Sequence, residues 1–173
     1  KLTAVLLAVI MALSVLTVAP FTVSAATYGD YEYRLEDDYT CTITKYNGSA
    51  SNITIPSTIY GNKVTKIGWS AFEWCENIVN VNIPNTVTSI DSYAFSACSN
   101  LKNITFSNNL KKIDYASFSG CTSLTSVSFP ASLTEIGRRA FRDCEKLASA
   151  SLNNGLINFD DSAFYNCKSL SNI

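Results

Sequence analysis

Ile67-Gly68-Trp69-Ser70-Ala71-Phe72-Glu73-Trp74-Cys75-Glu76-Asn77-Ile78 carries the pattern from which the rest of this 173-residue chain is built. The same spacing of apolar and small residues returns every 23 residues without a gap. Three columns of equivalent residues show the period: Ile67, Ile90, Ile113, Ile136 and Phe159; Phe72, Phe95, Phe118, Phe141 and Phe164; and Cys75, Cys98, Cys121, Cys144 and Cys167. A fixed period of this length indicates a repeat protein in which each unit packs mainly against its two neighbours.

The repeats span residues 64–173 as four full copies and a truncated fifth. Within one copy, residues 101–106 end in the alternation typical of a short strand, and residues 110–113 predict a second brief strand. Residues 92–98 predict one short helical or 3₁₀ turn between such strands. The chain is therefore predicted to be a β-rich repeat solenoid, with equivalent strands stacked about 4.8 Å apart.

The pattern I-G-x-x-A-F-x-x-C-x-x-L, present at residues 67–78 and again at 136–147, resembles the BspA-like class of bacterial leucine-rich repeats. The resemblance covers residues 64–173, and residues 53–61 are similar to the lead-in that precedes the first such repeat. It implies a right-handed leucine-rich-repeat solenoid. It also implies a secreted or surface-exposed protein linked to adhesion to host proteins, matrix proteins or neighbouring cells.

The N-terminal residues predict export. Residues 2–23 are almost wholly apolar and end in Val23-Ser24-Ala25-Ala26, the small residues that a signal peptidase accepts. We interpret residues 1–25 as a signal peptide, which leaves no membrane span in the mature chain; a transmembrane anchor is the alternative. Residues 26–63 are expected to form an N-terminal cap with a β-hairpin around the acidic turn 36–38. No polar cap follows the last repeat, so the natural protein is expected to continue after Ile173.

Composition excludes several classes of function. The chain has 13 basic and 14 acidic side chains, so nothing predicts a nucleic-acid partner. It has no histidine, which excludes Ser-His-Asp and Cys-His catalysis and every imidazole metal ligand. We predict no catalytic residue, no cofactor and no metal site, and therefore no enzyme.

The repeated cysteines and aspartates have plainer interpretations than a disulfide or metal framework. Cysteines stacked about 4.8 Å apart with parallel side chains do not match the roughly 3.8 Å Cβ separation of a disulfide, which predicts free thiols. The aspartates that follow the repeated isoleucine could gather calcium, but a role in turns or capping is favoured. The aspartates concerned are Asp91, Asp114 and Asp160.

Two columns of small polar residues are the candidate ligand-binding residues. They alternate with core positions in the strand predicted at residues 101–106 and in its equivalents, and so point away from the core. They are Asn80, Asn82, Asn103, Thr105, Ser126, Ser128, Ser149 and Ser151. Such a surface suits a broad contact with a protein partner. Two alternatives stay open: a structural spacer that displays a further C-terminal domain, and a carbohydrate-binding surface built from Trp69, Trp74, Tyr93 and Tyr115.

Overall fold

The computed structural model describes residues 26–173, so the predicted signal peptide lies outside the described residues. Fourteen short strands form a stack of coils, and no helix occurs among the described residues. The strands are β1 (Ala26–Tyr28), β2 (Tyr31–Leu35), β3 (Cys41–Tyr46), β4 (Asn52–Thr54), β5 (Thr58–Ile59), β6 (Asn62–Ile67), β7 (Asn80–Asn82), β8 (Ser89–Ile90), β9 (Asn103–Thr105), β10 (Lys112–Ile113), β11 (Ser126–Ser128), β12 (Glu135–Ile136), β13 (Ser149–Ser151) and β14 (Asn158–Phe159).

The longer sheet runs along one side of the stack in the order β1-β2-β3-β6-β8-β10-β12-β14. The strands of this order from β3 onward pair in parallel. From β6 onward, residues 23 apart face each other, as in Ile67 with Ile90 and Ile113 with Ile136. A second side carries β4, β7 and β9 as one sheet and β11 with β13 as another. Each 23-residue repeat predicted from the sequence therefore forms one coil of the stack.

The segments predicted as short helices are runs of hydrogen-bonded turns instead. In the segment 91–98, alternate amides bond within the coil, as Ala94 N–H does to Asp91 O at 3.2 Å. The intervening amides bond the next coil, as Phe95 N–H does to Ser117 O at 2.7 Å. Tyr93 and Ala97 have positive φ angles of 60° and 58°, which breaks any helical run. The predicted turn is therefore present but does not extend into a helix, because stacking takes up the amides that a helix would use internally.

The core is a continuous stack of phenylalanine rings. Their centroids are 4.7, 5.2, 5.1 and 5.3 Å apart along the stack, close to the strand spacing, and neighbouring ring planes lie within 13° of parallel. The rings belong to Phe72, Phe95, Phe118, Phe141 and Phe164. Repeated isoleucines and leucines are buried around them. One coil alone contributes too few of these side chains to offset its own ordering, so only the stack is stable.

The N-terminal strands cover the first ring of the stack. Tyr46, at the end of β3, stacks on Phe72 at 5.3 Å, and Tyr31 of β2 lies 5.3 Å from Tyr46. β3 pairs in antiparallel fashion with β2 and in parallel with β6. Gly68 permits this approach, because a Cβ there would lie 2.7 Å from the carbonyl oxygen of Ile43.

The cysteines of the repeat are all free thiols. Four of them donate a hydrogen bond to a backbone carbonyl oxygen. The Sγ of Cys98 donates to the carbonyl oxygen of Phe72, one coil earlier, at 3.0 Å. Cys121, Cys144 and Cys167 repeat this contact at 3.1–3.2 Å. Burial raises the pKa of the Cys121 thiol to about 12. The thiols are thus packed hydrogen-bond donors that tie successive coils together.

Phe118→Ala is expected to destabilise the protein by about 3–5 kcal/mol, because it removes a fully buried ring between Phe95 and Phe141 and leaves a cavity. Urea unfolding followed by circular dichroism measures the change. Trp69→Ala is the control, since that side chain is 68% exposed and its loss should change the free energy of unfolding by less than about 0.5 kcal/mol. An unchanged midpoint for Phe118→Ala would contradict the ring stack.

The buried thiols are expected to stay reduced and unreactive in air-oxidised protein. Cys98, Cys121 and Cys144 should resist alkylation under native conditions, because burial hinders access and the raised pKa values leave almost no thiolate. All six cysteines should be alkylated after denaturation without reductant, as read by mass spectrometry of intact protein. Any Cys75–Cys98 type disulfide in the digest would overturn this expectation.

Candidate functional site

The structure places the predicted ligand-binding residues in two parallel columns. Asn80 faces Asn103 and Asn82 faces Thr105 across β7 and β9. Ser126 faces Ser149 and Ser128 faces Ser151 across β11 and β13. Asn80 and Ser149 are half-buried and the other six are exposed. The columns continue into β4, where Asn52 and Thr54 lie beside Asn80 and Asn82.

We call these ten residues the polar face. Sequence analysis missed Asn52 and Thr54, because they precede the first gap-free copy of the repeat. Their spacing of 28 residues from β7, instead of 23, hid them from a strict period. The signal that could have found them is the N-x-T pattern at residues 52–54, which recurs at residues 103–105.

Three asparagines of the polar face form a hydrogen-bonded amide ladder. The Nδ2 of Asn103 donates to the Oδ1 of Asn80 at 2.7 Å, and the Nδ2 of Asn80 donates to the Oδ1 of Asn52. The inner amide, that of Asn80, therefore keeps one N–H and one lone pair for a ligand. A shallow groove of about 310 Å³ lies over this ladder and is lined by β4, β7, Asn103 and Thr105. The groove offers fixed polar groups without charge.

The polar face is divided between β9 and β11. At the junctions on either side, backbone bonds close the sheet: Ile83 N–H donates to Thr105 O at 2.9 Å and Phe129 N–H donates to Ser151 O at 3.2 Å. Among the described residues the equivalent bond from Phe106 N–H to Ser128 O is missing. Backbone pairing on this side of the stack is therefore interrupted at this one junction.

Two consecutive phenylalanines account for the division. Phe106 and Phe129 follow β9 and β11, and their rings stack 5.6 Å apart, wider than the roughly 4.8 Å that a strand ladder requires. Ile83 occupies the equivalent position one coil earlier. Ile104 is half-buried, whereas its equivalents Val81 and Val127 are buried. A second cleft of about 310 Å³ lies over the junction.

The exposed aromatic residues do not form one flat strip. Trp69 and Trp74 are 68% and 69% exposed. Tyr93 and Tyr115 are half-buried and pack edge to face across two coils at 5.2 Å. Hydrogen bonding from Tyr93 and from Arg139 lowers the pKa of Tyr115. The tyrosines thus bind each other and Arg139 rather than offering parallel ring faces to a sugar.

The repeated aspartates act in local turns. The Oδ1 of Asp114 accepts the N–H of Tyr115 at 2.8 Å, and the Oδ1 of Asp160 accepts the N–H of Ser162 at 2.9 Å. After Asp91 and Asp114 the left-handed backbone lies two residues further along, at Tyr93 and Ala116, and not at the aspartates. Lys112 Nζ lies 3.2 Å from Asp114, which places a cation beside the carboxylate. Within residues 26–173, no cluster of three or more potential ligands could hold a metal ion.

The membrane question can be addressed only for the part of the chain that the structure describes. Among those residues, no helix has the length and apolarity needed to span a membrane. The apolar run at residues 2–23 lies outside the described residues.

Comparison with solved structures finds bacterial proteins of similar fold. The Treponema pallidum leucine-rich repeat protein TpLRR is 31% identical with a TM-score of 0.82, covering 86% of this chain and 70% of its own. A leucine-rich cell surface protein from Faecalibacterium prausnitzii is 30% identical with a TM-score of 0.76, covering 84% and 38%. A leucine-rich repeat protein from Bacteroides ovatus is 28% identical with a TM-score of 0.78, covering 86% and 40%.

The chain spans only about two fifths of the Faecalibacterium and Bacteroides structures. No protein in a curated sequence collection matches it. The family model that does match is the BspA type leucine rich repeat region, with six copies over residues 42–171. That match takes in β3 and β4, which stack on the first repeat as a further coil. The chain belongs to the BspA-type leucine-rich repeat family.

Proposed function

We propose that the protein is a non-catalytic adhesion module, exported to the cell surface or beyond, that binds a protein partner through the polar face. The observation that carries the proposal is the pair of polar columns on a rigid parallel sheet. Host proteins, matrix proteins and neighbouring cell surfaces are the proposed sources of the partner.

Rigidity supports binding by this face. The side chains are short and stand on strands fixed by the core, so docking orders few rotatable bonds. They are uncharged, which keeps the desolvation cost low, and each retains hydrogen-bonding capacity. A broad contact with ordered interfacial water fits such a surface better than a deep small-molecule site does.

Export to the surface rests on residues outside the described part of the chain. The apolar run at residues 2–23 and the small residues at 23–26 support a signal peptide over residues 1–25. The cell surface description of the Faecalibacterium protein supports the same localisation. Removal of this peptide would release Ala26–Tyr28 as the first strand of the cap.

The two alternatives make different predictions about binding. A spacer for a further C-terminal domain would bind nothing through the polar face. Carbohydrate binding would use the aromatic side, but the edge-to-face packing of Tyr93 on Tyr115 does not favour it. Binding by the polar face therefore separates the adhesion proposal from both.

Replacing Asn103, Thr105, Ser126 and Ser128 together with lysine is expected to abolish binding, because four cations would cover the centre of the polar face. Surface plasmon resonance against a panel of purified extracellular-matrix proteins measures the binding. The melting temperature should change little, since these side chains are exposed.

Ser96→Lys together with Ser119→Lys is the matched control on the turn side of two coils, and it should bind like the unmodified protein. Full binding by the folded fourfold variant would move the site away from the polar face. No binding by the unmodified protein to any member of the panel would favour the spacer.

A further inference from the structure

The turns that follow the long sheet form a second regular surface, which we call the turn side. It consists of residues 69–76 in the first repeat and of the equivalent residues 92–99, 115–122 and 138–145 in the next three. Backbone bonds hold these turns in register, since Trp74 N–H donates to Ser96 O at 2.9 Å and Ala97 N–H donates to Ser119 O at 2.7 Å. Equivalent side chains therefore lie in columns that run along the stack at the strand spacing, about 4.8 Å.

The first of the four turns is aromatic and acidic. Trp69 and Trp74 are among the most exposed large side chains of the described residues, and Glu73 lies beside Trp74 in the same turn. Residues 69–76 include two glutamates and no basic residue. Glu73 has no ion-pair partner among residues 26–173.

The fourth turn is basic. Its arginines occupy the columns that begin with Trp69, Ser70 and Glu73 in the first turn, and they are Arg138, Arg139 and Arg142. Arg142 lies over the Tyr165 ring at 5.6 Å and its Nε lies 3.0 Å from Asp143, which holds the guanidinium in place. Arg138 is exposed and pairs with no carboxylate in the part of the chain that the structure describes.

The two middle turns separate these ends with small, neutral side chains. Residues 92–99 and 115–122 contain no charged residue. Ser96 and Ala97 continue the columns of Glu73 and Trp74, and Ser119 and Gly120 follow them in the third turn. A second surface can therefore approach the centre of the turn side closely.

We propose that the turn side binds the turn side of a second copy of this chain, with the two stacks antiparallel. A two-fold axis between the second and third turns sets the first turn of one copy against the fourth turn of the other. Glu73 then faces Arg142 of the second copy as an ion pair, and Trp69 faces its Arg138 in a cation–π contact. The symmetry makes each contact twice, as in any isologous dimer.

Size as well as charge is complementary in this arrangement. Each tyrosine of the middle turns faces a small residue, because Tyr93 meets Ala116 of the second copy and Tyr115 meets its Ser92. In a parallel arrangement the two acidic first turns would face each other, and no cation would reach Glu73.

One pair of like charges also meets across the axis, since Glu76 faces Glu145 of the second copy. Lys168 neutralises that contact, because its Nζ lies 2.6 Å from the carboxylate of Glu145. Four turns extend over about 19 Å, so the interface is small and the dissociation constant is expected to be on the order of 100 µM. The polar face lies on other strands and stays free in both copies.

Sedimentation equilibrium of the purified protein measures the association. Dimers should be present at a protein concentration of about 500 µM and should weaken at least about threefold in 1 M salt, which screens the ion pairs. Glu73→Arg and Arg142→Glu should each weaken the dimer at least about tenfold, because like charges then face each other at both ends. Lys111→Glu is the control: it reverses an exposed charge outside the turn side and should leave association unchanged.

A mixture of the two charge-reversal variants gives the sharpest test, because each supplies the charge that the other lacks. In the mixed dimer the two introduced charges face each other at one end, and the native pair of Glu73 with Arg142 forms at the other. An equimolar mixture should therefore associate within about threefold of the unmodified protein, although neither variant associates alone. A mixture of folded variants that stays monomeric would overturn the antiparallel arrangement, and a monomeric unmodified protein would overturn the dimer itself.

The polar-face variants keep this inference separate from the proposed function. The fourfold lysine variant should dimerise like the unmodified protein, because its changes lie outside the turn side. Ser96→Lys/Ser119→Lys should be monomeric and still bind matrix protein, because it places lysines at the centre of the dimer. A dimer that survives Ser96→Lys/Ser119→Lys, or that the fourfold variant abolishes, would reject the turn side as the contact. That result decides the matter even if a charge-reversal variant does not fold.

Discussion

The spacing between hydrogen-bonded strands, about 4.8 Å, is the constraint on which the rest of the molecule depends. Each coil must present its strands, rings and thiols at that rise, or the next coil cannot form its backbone bonds. The phenylalanine rings meet this demand with separations of 4.7–5.3 Å. Four of the five repeat cysteines meet it as well, because their thiols reach the carbonyl of the previous coil at 3.0–3.2 Å. Backbone and core therefore share one period, and the repeat length follows from it.

The same constraint explains why one junction differs. Two phenylalanines in succession at the end of β9 and β11 stack at 5.6 Å, and the strands above them part. In other coils the residue after the strand is aliphatic. Ile55 and Ile83 lie at paired junctions, and Leu152 lies at the end of the stack. The polar face is thus assembled in two blocks, with unpaired main chain between them. The position of the two phenylalanines thus coincides with the place where the polar face is divided.

The absence of histidine and the near balance of acidic and basic residues agree with the uncharged character of the polar face. The carboxylates along the long sheet accept hydrogen bonds in local turns or pair with Lys112. The Nζ of Lys112 lies within 3.3 Å of both Asp114 and Glu135. Every thiol except that of the half-buried Cys75 is buried or donates to a backbone carbonyl. The polar face is a regular display of amides and hydroxyls on five short strands.

The sequence alone determined the period, the columns of the core, the family and the identity of the polar columns, because each depends on residue type at a repeated spacing. It also predicted free thiols, since the strand spacing cannot match a disulfide. The short helical or 3₁₀ turn predicted at residues 92–98 is present as hydrogen-bonded turns without a helix, and local propensity could not show that Phe95 N–H bonds Ser117 in the next coil. The added rung of Asn52 and Thr54, and the parting of β9 from β11, were decided by tertiary structure. Both depend on how coils contact one another, and a distance between two rings is not written in the period of the chain.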